Sequence, residues 1–228
     1  MSNRRTRLNR HSVVNAALLV VDDVGLEGLT IRGVARVAGA SAMSLYSHFA
    51  KKEDLLDLMY AEISQRLYPG PEHTCWKEAL TAFCHKIREV VLAHPRWVPL
   101  MSRPAPVLSL PGRERLLGLM TTTGIPAARA LSMLSSAGLL ALGLAIAELS
   151  FRDQDGVSGF AKRFENLQAH ATNPAFSDEN PITRAALAHS RGLDLGANFS
   201  STVDTFLAGL VFQLTSSQPA PASSNTLG

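Results

Sequence analysis

Thr30-Ile31-Arg32-Gly33-Val34-Ala35-Arg36-Val37-Ala38-Gly39, followed after Ala40-Ser41 by Ala42-Met43-Ser44-Leu45-Tyr46-Ser47-His48-Phe49, decides the fold. Thr30 has the short hydroxyl side chain that closes the first turn of a helix, and Gly39 has the backbone freedom that ends one. The spacing predicts a helix over residues 31–38 with Ile31, Val34, Ala35 and Val37 turned inward. A second helix is expected over residues 42–48, with Leu45 and Phe49, four apart, facing the core. The small Ala35 and the glycine let the two helices approach closely. This is the sequence form of a helix-turn-helix, whose second helix lies in the major groove of DNA. Ala42, Met43, Ser44, Ser47 and His48 are left on the side that would face a groove.

Outward from this pair, helical spacing continues in both directions and no strand-like alternation interrupts it, so the expected class is all-α. A first helix is expected over residues 9–23, burying Val13, Ala16, Ala17, Val20 and Val24, with Gly25 and Gly28 turning the chain. Lys51-Lys52-Glu53-Asp54 opens a fourth helix carrying Leu55, Leu58, Met59 and Ile63 on one stripe. Tyr68-Pro69-Gly70-Pro71 cannot continue a helix and marks a boundary. The expected organisation is residues 1–66 as an arm, the helix-turn-helix head and a linking helix; 67–216 as a second helical domain; and 217–228 as a disordered tail rich in serine and proline. Beyond the boundary, Trp76, Leu80, Phe83, Ile87 and Val91 line one face of a fifth helix that ends at His94-Pro95. Further helices are expected at 112–123, 126–150, 157–170, 181–190 and 198–216.

The 228 residues are 46% hydrophobic and 18% charged with a formal charge of +3, which excludes a disordered chain and a polycationic nucleic-acid coat. Positive charge is clustered instead, as Arg4, Arg5, Arg7 and Arg10 with no acid among them. These arginines suit either a solvated tail or an arm that follows DNA. They run into Asn9, His11 and a helix containing Asp22 and Asp23, unlike a secretory signal, so the chain reads as cytoplasmic. The most apolar run, residues 137–147, would rise about 16 Å as a helix, roughly half a bilayer core, and reads as a buried helix. Cys75 and Cys84 should lie about 13 Å apart along one helix, beyond disulfide reach.

The run Leu45-Tyr46-Ser47-His48-Phe49-Ala50-Lys51-Lys52-Glu53-Asp54-Leu55, with Gly28-Leu29-Thr30-Ile31-Arg32 and Ala35-Arg36-Val37-Ala38-Gly39 before it, resembles the DNA-binding domain of the tetracycline-repressor (TetR) family of bacterial transcription regulators. The match covers about residues 9–66. The chain beyond Trp76 resembles that family's body more loosely, through His94-Pro95 and the late Gly-Leu segments. The resemblance implies a DNA-binding head, a helical ligand-binding body and a homodimer joined through body helices. Carried over, Thr30 would bind phosphate, Arg32 a base edge or the backbone, and Ala42, Met43 and Ser44 the bases. Tyr46 and His48 would bind phosphates, with Ser47 beside them, and Lys52 would meet the backbone at a helix N-terminus. Hydroxyls and ammonium groups suit phosphate oxygens, the guanidinium fork suits guanine, and Ala42 and Met43 suit thymine methyls. Tyr46 equally suits a core aromatic with a wet hydroxyl.

In the body, Trp76, Phe83 and Ile87 read first as core. With Trp97, Met101, Met120, Met133 and Phe151 they also supply the adaptable apolar surface of an effector pocket. No metal or other cofactor is expected, because His73, His85, His94, His170 and His189 include no pair at the spacing of a helical metal motif. Tetracycline repressors bind their drug with magnesium through a histidine just before a short turn resembling Leu100-Met101-Ser102-Arg103-Pro104. Pro99 takes that place here and has no ligand atom to offer. The apolar residues 139–147, with Phe206, Leu207, Leu210, Val211 and Leu214, favour subunit association. No hydrolase, Walker, zinc-protease or dinucleotide motif is present. The expected function is a homodimeric repressor released from a palindromic operator by an organic effector. A DNA-binding regulator without an effector and an all-α enzyme are the alternatives.

Overall fold

The computed structural model describes residues 8–104, 111–150, 166, 169, 181–189 and 194–216, and every regular element among them is helical. In chain order these are α1 (Arg10–Val24), α2 (Ile31–Ala38), α3 (Ala42–Leu45), α4 (Lys52–Leu67), α5 (Trp76–Ala93), a 3-10 turn (Pro95–Trp97), α6 (Val98–Met101), α7 (Pro111–Thr121), α8 (Ala127–Ser150), α9 (Pro181–His189) and α10 (Leu195–Ser216). The all-α class holds. Arg4, Arg5, Arg7, Phe151, the tail at 217–228 and nearly all of the helix expected at 157–170 lie outside the described residues. The chain divides into two units, one ending at Gly118 and the other beginning at Leu119.

In the first unit, α1 opens with a reciprocal cap in which Ser12 N donates to Asn9 Oδ1 and Asn9 N donates to Ser12 Oγ. Its inner face buries Val13, Val14, Ala16, Ala17, Leu18, Val20 and Val21. Val24 departs from expectation and is half exposed. Gly28 folds back over it, and a β-carbon there would stand 2.7 Å from Val24, so position 28 offers the valine no side chain.

Thr30 caps α2 by accepting from Gly33 N at 3.1 Å, and Gly39 ends it with φ of 63°. Val34 and Ala35 are buried against α1, but Val37 is half exposed. At 100° per residue Val37 lies about 110° from the midpoint of the Val34 and Ala35 directions, outside the packed face. α3 is shorter than expected and ends at Leu45. The hydroxyls of Ser44 and Ser47 donate to carbonyls three residues back, and His48 N donates to Leu45 O, so the chain continues as tight turns. Leu45 and Phe49 are buried. α4 buries Leu55, Leu56, Met59, Ile63 and Leu67, while Leu58 is only half-buried. All five residues of the expected α5 stripe are buried. The short Pro95–Trp97 turn and α6 were not anticipated. Cys75 and Cys84 form no disulfide, and burial pushes the Cys84 thiol up to about 12.

In the second unit, α8 packs against α10. Ala130, Ala137, Ala141 and Ala145 of α8 are fully buried, as is Val203 of α10, with Phe199 and Leu207 nearly so. α10 starts at Leu195, three residues before expectation, because Asp194 Oδ1 accepts from Gly196 N and Ala197 N. The apolar run at 137–147 lies within α8, whose 24 residues are long and apolar enough to cross a membrane by length and composition. Its buried face holds an alanine seam, Ala130, Ala137, Ala141 and Ala145, together with Met133 and Leu134.

The left-handed turn at Gly39 gives a direct test of the head. Nothing lies within 4 Å of a β-carbon built there, so substitution costs only backbone strain. Gly39→Ala should destabilise the protein by about 1–2 kcal/mol and Gly39→Asn by less, read as a lowered urea midpoint.

Candidate nucleic-acid interface

The surface formed by α2, α3 and the turns after α3 carries side chains whose polar ends divide into two groups. Arg32 and Arg36 of α2 are exposed and make no hydrogen bond or ion pair among the described residues. Met43 is 83% exposed, the most open large apolar group of the head. Tyr46 is 51% exposed; its ring leans on buried Phe49 with centroids 5.7 Å apart, and this half-open setting is not that of a core aromatic. Its hydroxyl makes no bond among the described residues. A rigid ring with an open hydroxyl and two open guanidinium groups can donate to anionic oxygens without first breaking internal bonds.

The serines are already engaged. Ser41 Oγ donates to Ser44 Oγ and accepts from Ser44 N, while Ser44 Oγ donates to Ser41 O at 2.7 Å. Ser47 Oγ donates to Ser44 O. These hydroxyls shape the turn, and their protons are not available to a ligand in this conformation. Thr30 Oγ1 accepts the Gly33 amide and keeps its own proton for an outside acceptor. Ala42 and His48 are half-buried.

Lys52 has a role that its sequence position does not reveal. Its Nζ donates to the carbonyl of Leu29 at 2.9 Å, tying the start of α4 to the residue before the α2 cap. Asp54 Oδ2 accepts from the amides of Ala50 and Lys51 at 3.0 Å each, closing the N-terminus of α4. Two of the three ammonium protons of Lys52 remain for other acceptors.

A second polar cluster sits on the same unit, where α1 and α4 meet the chain after α5. His94 Nδ1 is 3.1 Å from both carboxylate oxygens of Asp22, and its ring stacks on Trp97 at 3.8 Å with planes 6° apart. Arg96 donates to the carbonyls of Asp22 and Asp23 at the end of α1. Arg66 donates to Asn15 Oδ1 at 2.8 Å and to Glu62, and its guanidinium lies 5.4 Å from the Trp97 ring centre. Glu62 also meets His11 at 3.2 Å. Partners up to 74 positions apart in the chain leave no local signal, so Asp22, Arg66 and Arg96 are not legible in the sequence as functional residues.

Of the residues expected to face an effector, Trp76, Phe83, Ile87 and Trp97 are buried in the first unit and Met101 is half-buried there. Met120 and Met133 are buried in the second unit, and Phe151 lies outside the described residues. Tyr68, which opens the boundary segment, stacks on Phe83 at 4.9 Å, and burial pushes its hydroxyl up to about 12. Pro99 is exposed in α6.

Comparison with known proteins gives a consistent result. Residues 13–59 match the family of bacterial regulatory proteins of the tetR type, and residues 68–214 match the tetracyclin repressor-like C-terminal domain. An HTH-type transcriptional regulator of Saccharopolyspora erythraea is 27% identical over 217 residues, covering 92% of this chain and 87% of its own. The class D tetracycline repressor protein of Escherichia coli is 28% identical, with 92% of each chain covered. In fold, the chain is similar to the Streptomyces coelicolor TetR family protein ActR in complex with actinorhodin, with a TM-score of 0.69, 24% identity and 91% and 97% of the two chains covered.

The Lys52 tether can be tested without DNA. Lys52→Met keeps the aliphatic stem and removes the ammonium, and should destabilise the protein by about 1 kcal/mol in urea unfolding. Lys52→Arg should recover part of that loss.

Proposed function

This chain belongs to the tetracycline-repressor family of bacterial transcription regulators, and on that premise we propose that it is a cytoplasmic homodimeric repressor released from a palindromic operator by an organic effector. The observation that carries the proposal is the open row on the head: Met43, Tyr46 and Arg32 present an apolar tip, a hydroxyl and a guanidinium fork beside a helix pair whose own ends are already capped. Arg32 reads a base edge, Met43 and Ala42 meet thymine methyls, and Tyr46, Thr30 and His48 hold phosphates. Ser44 and Ser47 set the shape of this surface. Lys52 adds charge to the backbone contact while keeping its bond to Leu29.

Dimerisation is supported by the apolar surface of α8 and α10, where Leu139 is 73% and Phe212 is 71% exposed. The effector is a largely apolar, ring-containing organic molecule. That class is supported by the actinorhodin complex of the structural relative and by aromatic residues such as Phe83 and Tyr68 in the first unit. Pro99 argues against the magnesium-dependent mode of drug binding. The lever is α4, which carries Lys52 at one end, packs against α1, and reaches α5 and α6 at the other. A ligand that favours one tilt of α4 changes the separation of the two recognition elements and hence the fit to successive major grooves.

Selection from a randomised duplex pool should return an inverted repeat with half-sites about 34–36 Å apart or a multiple of that. A selected site without a dyad, or a monomer in sedimentation at binding concentrations, would defeat the dimeric reading. On the selected duplex, Arg32→Ala should cost about 1–3 kcal/mol and relax preference at one position per half-site. Tyr46→Phe should cost about 0.5–1.5 kcal/mol without changing the preferred sequence. Leu139→Glu should shift the dimer toward monomer and weaken duplex binding with it.

A further inference from the structure

α1 ends in a way that a helix on its own would avoid. Asp22 and Asp23 place two carboxylates in the last turn, where the helix dipole favours cations, and no basic residue of that turn balances them. The balance comes from distant parts of the chain. His94, which follows the last residue of α5, sits against the Asp22 carboxylate, and Arg96 satisfies the terminal carbonyls of Asp22 and Asp23. Two turns earlier on α1, Asn15 is held by Arg66 of α4. α1 is therefore fixed at two points about 10 Å apart along its axis, which sets its direction as well as its distance. Trp97 lies under the whole arrangement at 2% exposure, stacked on His94 and covered by Arg66.

The consequence reaches the DNA-facing surface through packing alone. α2 lies against α1, and α3 against α2, so whatever holds α1 holds the recognition elements. We propose that Asp22, His94 and Arg96 are positioning residues that form a latch between α1 and the chain after α5, fixing the direction in which the head presents Met43 and Tyr46. This latch acts beside α4 and rests on the reading of the chain as a DNA-binding regulator. With the latch formed, the head is held in one direction before DNA arrives. Without it, the head must be ordered on binding, and affinity falls by that cost.

The test uses the full chain and the duplex that the wild-type protein selects from a randomised pool. Asp22→Asn keeps the shape and removes the charge, and His94→Gln removes the imidazole. Each should weaken duplex binding about three- to tenfold, and the double variant should be no weaker than the worse single one, as for partners in one contact. The exchanged pair, Asp22→His with His94→Asp, should return affinity to within about twofold of wild type. Amide hydrogen exchange in the last turn of α1 should quicken in the single variants and slow again in the exchanged pair, a pattern that general destabilisation does not give. If Asp22→Asn fails to fold, Arg96→Gln carries the test, and a threefold loss supports the latch. Single variants that bind like wild type, losses that multiply in the double variant, or unchanged exchange at the end of α1 would each overturn it. A wild-type chain that selects no duplex would defeat the regulator reading, and the orientation claim with it.

Discussion

The two helices at the centre of the head are too short to exist alone. α2 has eight residues and α3 has four, well below the length at which an isolated helix survives in water. Each persists because side chains close its first turn and neighbours cover its apolar side. Thr30 and Ser41 supply the caps, Gly39 supplies the reversal, and Leu29, Val34, Leu45, Phe49 and Leu55 supply the buried contacts. The long helices α1 and α4 are the walls of this small core. The Lys52 bond to Leu29 then ties the start of α4 to the start of α2, so the cap of one helix and the anchor of another share a single stretch of backbone.

This dependence explains which features could be read from the chain. Caps, glycine turns and apolar spacing are local, and they placed α2 at its observed ends and found the buried stripe of α5. Val24 and Val37 are half exposed where the spacing turns them inward, because periodicity finds a face without saying where the neighbouring element stops covering it. α3 is shorter than its spacing predicts because serines that favour helix starts also bond backward and tighten the chain. The candidate interface was legible by residue type, but the engagement of Ser44 and Ser47 with the backbone was not, since it depends on rotamers. The cluster of Asp22, Arg66, His94 and Arg96 depends on tertiary packing and leaves no trace in spacing.

The second unit follows a different rule. Ala130, Ala137, Ala141 and Ala145 form a buried alanine seam on α8, beside buried Met133 and Leu134, while Leu139 is exposed. Hydropathy counts both faces alike and marks the helix as able to cross a membrane; side-chain size along the seam carries the other half of the information.

Both tryptophans of the chain, Trp76 and Trp97, are buried and lie in the first unit. Excitation of the indole rings therefore reports on this unit alone, without a labelled residue and without a signal from α8 to α10. Trp97 is sandwiched between an imidazole and a guanidinium, whereas Trp76 has Lys77 as its charged neighbour. The two fluorophores sit at opposite ends of α5, one entering the helix and the other just beyond its exit. Trp97 thus carries a native optical gauge of the junction between α1 and the chain after α5, and Trp76 one of the helix's other end.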